Sequence, residues 1–322
     1  MSMDFRKSGW TPETKKSKFF YCLVKVGFKF TSIVSVKRGR IRMKKMSSRS
    51  KLLSQVFLKE RSLVTSLVKR SSIGSEDTVL EIGPGKGIIT DELLRHARRV
   101  IAVEKDPRLF HELIQRYQGN ASIKIYNADI LRFKLPDFEY KVFSNIPFAI
   151  EGQLVRNLID HPHNPPVDTY LIMRRKVVRR LAGIPKEGQF SILHKPWFQL
   201  EIFHNFGRDD FIPKPKVESS MFRFKKREEP LVDPQHRRLY ELFVKQGFGG
   251  GRRLRQNMQP IFTKNQLNRL AGDFGFRLDN MPSQLSFKQW LGMFEFFLQG
   301  ISEDQRRKFV QRSGGFKLAR VF

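Results

Sequence analysis

The middle of this chain alternates two periods of apolar residues. From residue 58, "LKERSLVTSLVKRSSI" carries apolar positions at helical spacing, and "DTVLEIG" (77–83) follows as a short β-branched run ending in glycine. The same exchange of period recurs about every 20–25 residues. "KGIITDELLRHA" (86–97) predicts a helix, "RVIAVEKD" (99–106) a strand, and "PRLFHELIQRY" (107–117) a helix opened by Pro107 in its first turn. "SIKIYNAD" (122–129), "YKVFSN" (140–145) and "DTYLIMR" (168–174) predict three further strands, with "EGQLVRNLID" as a helix between the last two. Strands alternating with helices at this interval predict βαβ units and a parallel sheet, a Rossmann-like α/β domain. Past residue 225 the pattern turns helical through "PQHRRLYELFVKQGF", "TKNQLNRLAGDF" and "SFKQWLGMFEFFLQ". The expected organisation is a basic, flexible extension over 1–50, a catalytic α/β domain over 51–228, a small all-helical RNA-binding domain over 229–300, and a frayed basic tail over 301–322. No internal repeat is visible.

Sheets of this kind bind ligands at the carboxyl ends of their strands. The chemically distinctive residues fall at those predicted ends: Gly83, Glu104, Asp129 and Asn145. In "EIGPGKG" (81–87), Gly83, Gly85 and Gly87 let backbone approach a ligand and leave helix amides available. Ile88 stands where a dinucleotide fingerprint needs its last glycine, and the spacing is not that of a phosphate-binding P-loop. Alone, such a turn is as readily a tight corner. Glu104, 21 residues after Gly83, stands where an acid can accept both hydroxyls of a ribose. Asp129 can accept from an adenine amino group, with Ile130 covering the ring. Three glycines and two strand-end acids describe a nucleoside-like ligand, and S-adenosylmethionine suits them better than NAD. The fourth strand ends in "SNIPF" (144–148). This is either an ordinary loop with a buried Phe148 or a pocket for a flat, hydrogen-bonding ring.

Charge enlarges the picture. Lys and Arg number 61 against 31 acidic residues, a formal net charge of +30. Residues 1–50 hold 14 basic and 2 acidic residues, which leaves 47 against 29, a net +18, for the rest. The body is therefore basic without its extension, and an anionic partner, nucleic acid before membrane, is implied. "MRRKVVRR" (173–180) and Arg252, Arg253 and Arg255 after "GFGGG" are the densest clusters, each either a solvated helix face or a phosphate contact. Cys22 is the single cysteine, so no internal disulfide can form. His161 and His163 sit in the proline-rich turn "HPHNPP", and no metal site is expected. No apolar run is long enough to span a membrane, and Lys25 and Lys29 break the "FFYCLVKVGFKF" stretch. A cytosolic protein is expected.

Together, "EIGPGKG", "VEKD", "NADI", "SNIPF" and "FIPKPKVESSMFRF" (211–224), in that order, resemble the ribosomal RNA adenine N6-methyltransferases. Within that group "NIPF", "IFTKNQLNRLA" (261–271) and the short helical end resemble the Erm type, which modifies large-subunit rRNA and confers macrolide, lincosamide and streptogramin B resistance. The likeness spans about residues 50–300. It implies that Asn145 and the Ile146 carbonyl accept the hydrogens of the target adenine amine, that Pro147 braces the loop, and that Phe148 stacks on the base. Phe211 would close over the other face, and "PKPK" (213–216) would place its loop. It implies that S-adenosyl-L-methionine is held by Val56, Leu58, Gly83, Gly85, Gly87, Glu104, Asp129, Ile130 and Asn145. The substrate would be protein-free large-subunit rRNA, met by a monomer. Three features depart from the pattern. "SQVF" (54–57) puts Val56 where an asparagine is usual, Phe148 replaces a frequent tyrosine, and "AIEGQL" replaces a small-hydroxyl pattern. The likeness does not distinguish transfer of one methyl group from transfer of two.

Residues 1–50 suit an RNA-binding arm, an organellar targeting segment, or translated upstream sequence with a functional start at Met43 or Met46. Two rivals share the motifs. One is the small-subunit dimethyladenosine methyltransferases, whose loop more often reads "NLPY". The other is a non-catalytic nucleic-acid-binding relative of the mitochondrial transcription factor B kind, which intact Asn145, Pro147 and Phe148 argue against.

Overall fold

The computed structural model describes residues 32–37, 40–45, 57–161, 164–251 and 253–313 of the 322-residue chain. The chain divides after Gln55 into two units. In the first, β1 (Ser32–Lys37) and β2 (Arg40–Lys45) pair antiparallel, where no regular element was expected.

The second unit opens with β3 (Phe57–Leu58) and α1 (Arg61–Arg70). There follow β4 (Thr78–Ile82), α2 (Ile88–His96), β5 (Arg99–Glu104), α3 (Pro107–Arg116) and β6 (Ile123–Asn127). Next come β7 (Lys141–Asn145), α4 (Glu151–Ile159), β8 (Asp168–Arg174), α5 (Arg175–Ala182) and α6 (Gln189–His194). The five predicted strands are present and run parallel. Two strands that the pattern did not announce complete the sheet: β9 (Phe198–Asn205) and β11 (Ser219–Lys226), separated by the two-residue β10 (Phe211–Ile212). The order is β6-β5-β4-β7-β8-β11-β9, with β11 antiparallel to both neighbours.

Alternate strand residues go to opposite faces. Leu80, Val142, Leu171 and Met173 join one buried cluster with Leu154, Val155 and Leu158 of α4 and Val178 and Leu181 of α5. Val79, Phe143, Tyr170 and Ile172 join a second cluster with Val64, Leu67 and Val68 of α1 and Ile89 and Leu93 of α2. Helices therefore cover both faces, and the strands are apolar on both sides, as a parallel sheet requires.

Five helices follow: α7 (Arg237–Gly247), α8 (Leu254–Met258), α9 (Lys264–Phe274), α10 (Phe287–Gly300) and α11 (Glu303–Ser313). Their core is aromatic. Phe243 meets Phe294 at 5.4 Å, and Phe248 stacks on Trp290 at 5.1 Å. This core is continuous with the cluster on the α4 and α5 face of the sheet. Helix α11 lies in the stretch expected to fray. Ser302 Oγ accepts from the Gln305 N–H, Glu303 and Asp304 occupy the first turn, and both pair four residues on, with Arg307 and Lys308. Phe309 then packs against Phe297 at 5.7 Å. Capping, dipole and pairing terms act together where the composition alone suggested a basic tail.

Candidate functional site

Strand order reverses between β4 and β7, and that reversal makes a crevice at their carboxyl ends. The two strands pair only at Val79↔Lys141 and Leu80↔Val142 and then part. Beyond that point the Ile82 N–H donates to the side-chain oxygen of buried Ser144 at 2.7 Å. Ser144 thus replaces the missing ladder bond and lets the strand ends separate.

The glycine turn begins where β4 ends. Gly83 donates its N–H to the Val103 carbonyl at 2.9 Å, so the turn is anchored on β5. Its φ is +66°, and a Cβ there would meet nothing within 4 Å. Open space thus lies against this backbone, as a cradle for a bulky ligand needs. Gly85 (φ +59°) is different: a Cβ would come within 2.5 Å of the Phe57 ring, which lies across the turn. Gly87 caps α2 in the left-handed region, and its carbonyl accepts from the Tyr117 hydroxyl at 3.2 Å.

Glu104 ends β5 and is 3% exposed. One carboxylate oxygen accepts from the Gly85 N–H at 3.2 Å, the other from the Asp106 N–H at 2.8 Å. The acid is therefore aimed and bound to the glycine turn before any ligand arrives. Asn127, which ends β6, donates its side-chain amide to the Glu104 carbonyl at 2.9 Å. Asp129 caps a short 3-10 turn, accepting from the Leu131 N–H at 3.1 Å and from Lys105 Nζ at 2.7 Å. The Lys105 contact chiefly holds its carboxyl below the usual range, so it stays ionised. Ile130 is buried beside it. A second acid, Glu81, sits buried in β4 and accepts from the Thr90 hydroxyl at 2.6 Å. Burial, against that hydrogen bond and reinforced by the Glu104 and Asp91 charges, pushes it up to about 8.

On the other side of the crevice Asn145 ends β7, paired with Ile172 of β8. Ile146 is buried and donates its N–H to the Ile172 carbonyl at 3.4 Å. Pro147 is exposed, and its carbonyl accepts from the Ile150 N–H at 3.1 Å, closing the turn into α4. Phe148 is half-buried. The structure thus brings Gly83, Gly85, Glu104, Asp129 and Ile130 to one side of the switch point and Asn145–Phe148 to the other. The open space at Gly83, the pre-aimed Glu104 and the ionised Asp129 fit a nucleoside cofactor with ribose hydroxyls and an adenine amine.

Phe211 and Leu58 lie on the paired strands β10 and β3, next to Phe57, whose ring covers Gly85. Phe211 is 3% exposed; it pairs with Leu58 across β10 and β3 and packs against Phe206 at 5.4 Å. Its ring belongs to the buried cluster on the α1 and α2 face of the sheet. Leu58 is buried in the same cluster. Val56 lies outside the described residues. Sequence reasoning missed Ser144, Asn127, Lys105, Glu151 and Arg174. Asn127, Lys105 and Ser144 lie inside "NADI", "VEKD" and "SNIPF", whereas the contact between Glu151 and Arg174 joins two elements and has no local signal. Among the described residues no group of three or more His, Cys, Asp or Glu could hold a metal ion. Nor is any described helix long and apolar enough to cross a membrane.

A model of the ribosomal RNA adenine dimethylases matches residues 46–299. The rRNA adenine N-6-methyltransferase of Bacillus anthracis is 26% identical over 265 residues, which cover 81% of this chain and 91% of that protein. The ribosomal RNA small subunit methyltransferase A of a Nostoc species is 30% identical over 260 residues, 75% of this chain and 95% of that protein. Among solved structures, the 23S rRNA methyltransferase ErmE is similar with a TM-score of 0.71 at 26% identity, covering 76% of this chain and 100% of that one. With a seven-stranded Rossmann-like methyltransferase sheet and a glycine turn facing an Asn-Ile-Pro-Phe loop, the chain belongs to the ribosomal RNA adenine dimethylase family, whose members are methyltransferases acting on rRNA adenines.

Proposed function

We propose that this protein transfers a methyl group from S-adenosylmethionine to the exocyclic N6 of an adenine in large-subunit (23S) rRNA, the modification that gives macrolide, lincosamide and streptogramin B resistance. The observation that carries this reading is the meeting, at the β4/β7 switch point, of the Gly83–Glu104 cradle and the Asn145–Phe148 loop. Glu104 would accept the ribose hydroxyls and Asp129 the adenine amine of the cofactor. When bound, the cofactor supplies an electrophilic methyl on its sulfonium.

The amine of adenine is a poor nucleophile because its lone pair is delocalised into the ring. The Asn145 side-chain oxygen and the Ile146 carbonyl accept its two hydrogens and favour a localised lone pair aimed at the methyl. With the cofactor held by the glycine turn, Glu104 and Asp129, its sulfonium would give up the methyl to this amine, which would lose its proton to solvent. Orientation and charge placement supply the acceleration. Phe148 offers a stacking surface to a base that is unpaired or flipped out. The rRNA is met free of ribosomal proteins, by a monomer in the cytoplasm.

The test is labelled methyl transfer to protein-free rRNA, large and small subunit in parallel, by wild type and Asn145→Ala. Label on large-subunit rRNA is expected from wild type, with turnover abolished and RNA binding retained in the variant. Wild-type turnover in Asn145→Ala would refute the role of the amide. A second reading, dimethylation of small-subunit rRNA, is favoured by the 30% identity to the Nostoc protein. Label confined to the small subunit would establish it.

A further inference from the structure

Arg174 ends β8 and Glu151 begins α4, so the two stand beside the loop that carries Asn145 and Phe148. Glu151 is 1% exposed, an acid in the first turn of a helix, where backbone amides favour negative charge. Both of its oxygens go to the same residue. The Arg174 N–H donates to Oε1 at 2.6 Å, and Arg174 Nε donates to Oε2 at 2.8 Å. The Arg174 side chain is 43% exposed, and it turns back over the loop. Its Nη2 donates to the Phe148 carbonyl at 3.3 Å, and its Cζ lies over the Phe148 ring, 5.9 Å from the centroid. That is within the reach of a cation–π contact. The adjacent Arg175 goes elsewhere, to Glu218 at 3.0 Å and the Phe206 carbonyl at 3.0 Å.

We propose that Arg174, locked by Glu151, is a positioning residue for methyl transfer: it holds the carbonyl and one face of Phe148, leaving the opposite face to the target base. This rests on the reading of Asn145–Phe148 as the catalytic loop. A side chain serving only as a surface cation for RNA does not need a buried carboxylate gripping both its backbone and its guanidinium. A buried acid, in turn, is costly without its partner, so the two act as one unit. Glu151 lies in the stretch where "AIEGQL" departs from the family pattern, and Arg174 reaches it from the end of β8.

The test uses the full chain and the RNA that accepts label, with Arg174→Ala, Arg174→Lys, Glu151→Gln, the double variant Glu151→Gln/Arg174→Ala, and Asn145→Ala as control. At saturating RNA and cofactor, kcat is expected to fall about 10- to 100-fold in Arg174→Ala and in Glu151→Gln. RNA affinity should stay within about threefold, because rim charges gripped internally add little to it. The double variant should be no slower than the worse single variant, and Arg174→Lys should recover part of the rate. 2-Aminopurine at the target position should lose stacking-dependent quenching in Arg174→Ala. Wild-type kcat in Arg174→Ala, or a loss confined to RNA affinity, would overturn the proposal, the latter making Arg174 a phosphate contact. If Arg174→Ala does not fold, Arg174→Lys and Glu151→Gln decide: unchanged kcat in both overturns it. An inactive Asn145→Ala beside a fully active Arg174→Ala sinks only this inference. An active Asn145→Ala sinks the reading beneath it.

Discussion

Glu81 shows what one buried side chain does to the whole stability curve. Folded, it keeps its proton up to about pH 8; unfolded, it releases it near the ordinary 4.5. Between those values the folded state binds more protons, so this residue's contribution is complete below about pH 4.5 and is lost as pH rises through 8. Glu81→Gln keeps an acceptor for Thr90 and removes the titration. It is expected to melt higher than wild type at pH 8 and alike at pH 4.5, as followed by circular dichroism. Equal differences at both pH values would show that burial is not the cause. At this scale much of the site was legible. Glu104, Asp129 and Asn145 could be placed because each ends an apolar run, and a strand end in a parallel sheet is a ligand position. The burial of Phe211 was not legible, since nothing local signals that β10 pairs with β3. Arg174 and Glu151 were invisible for a related reason: their contact joins a strand end to a helix start 23 residues apart.

Among the elements, the parting of β4 from β7 makes the crevice, and Ser144 makes the parting tolerable. Ser144→Ala would leave the buried Ile82 N–H without a partner. It is expected to cost about 1–3 kcal/mol in urea unfolding, the usual penalty for such a group. An unchanged midpoint would mean that the strands close up instead. The five parallel strands were announced by β-branched runs that helices separate. The antiparallel β9 and β11 were not, because "FQLEIFHN" and "SSMFRFKK" mix polar and apolar residues, and the insertion of β11 between β8 and β9 is a long-range choice. Helix α11 was hidden differently. Its basic composition suggested a tail, while its Ser302 cap and its i,i+4 pairs are local signals that composition obscures.

For the molecule as a whole, charge and fold divide the labour. On the proposed reading the sheet would supply a cofactor cradle and a base-binding loop at one switch point, and the net charge of +30 would supply attraction for a polyanion without choosing its sequence. Lys176, Arg179 and Arg180 of α5 and Arg253 and Arg255 near α8 are exposed and suited to phosphate. RNA affinity is accordingly expected to fall steeply and linearly on a log–log plot as salt rises, while S-adenosylmethionine affinity, which the proposed site would draw from Glu104, Asp129 and the glycine turn, is expected to change little. Titrations at several salt concentrations check this; a flat RNA plot would contradict the electrostatic account.

The most direct measurement is primer extension across large-subunit rRNA from cells expressing wild type or Asn145→Ala, beside macrolide susceptibility. A stop at one adenine of the peptidyl-transferase loop, with resistance, in wild type and neither in the variant is the predicted result. An unmodified large-subunit rRNA in cells that express the wild-type protein would contradict it.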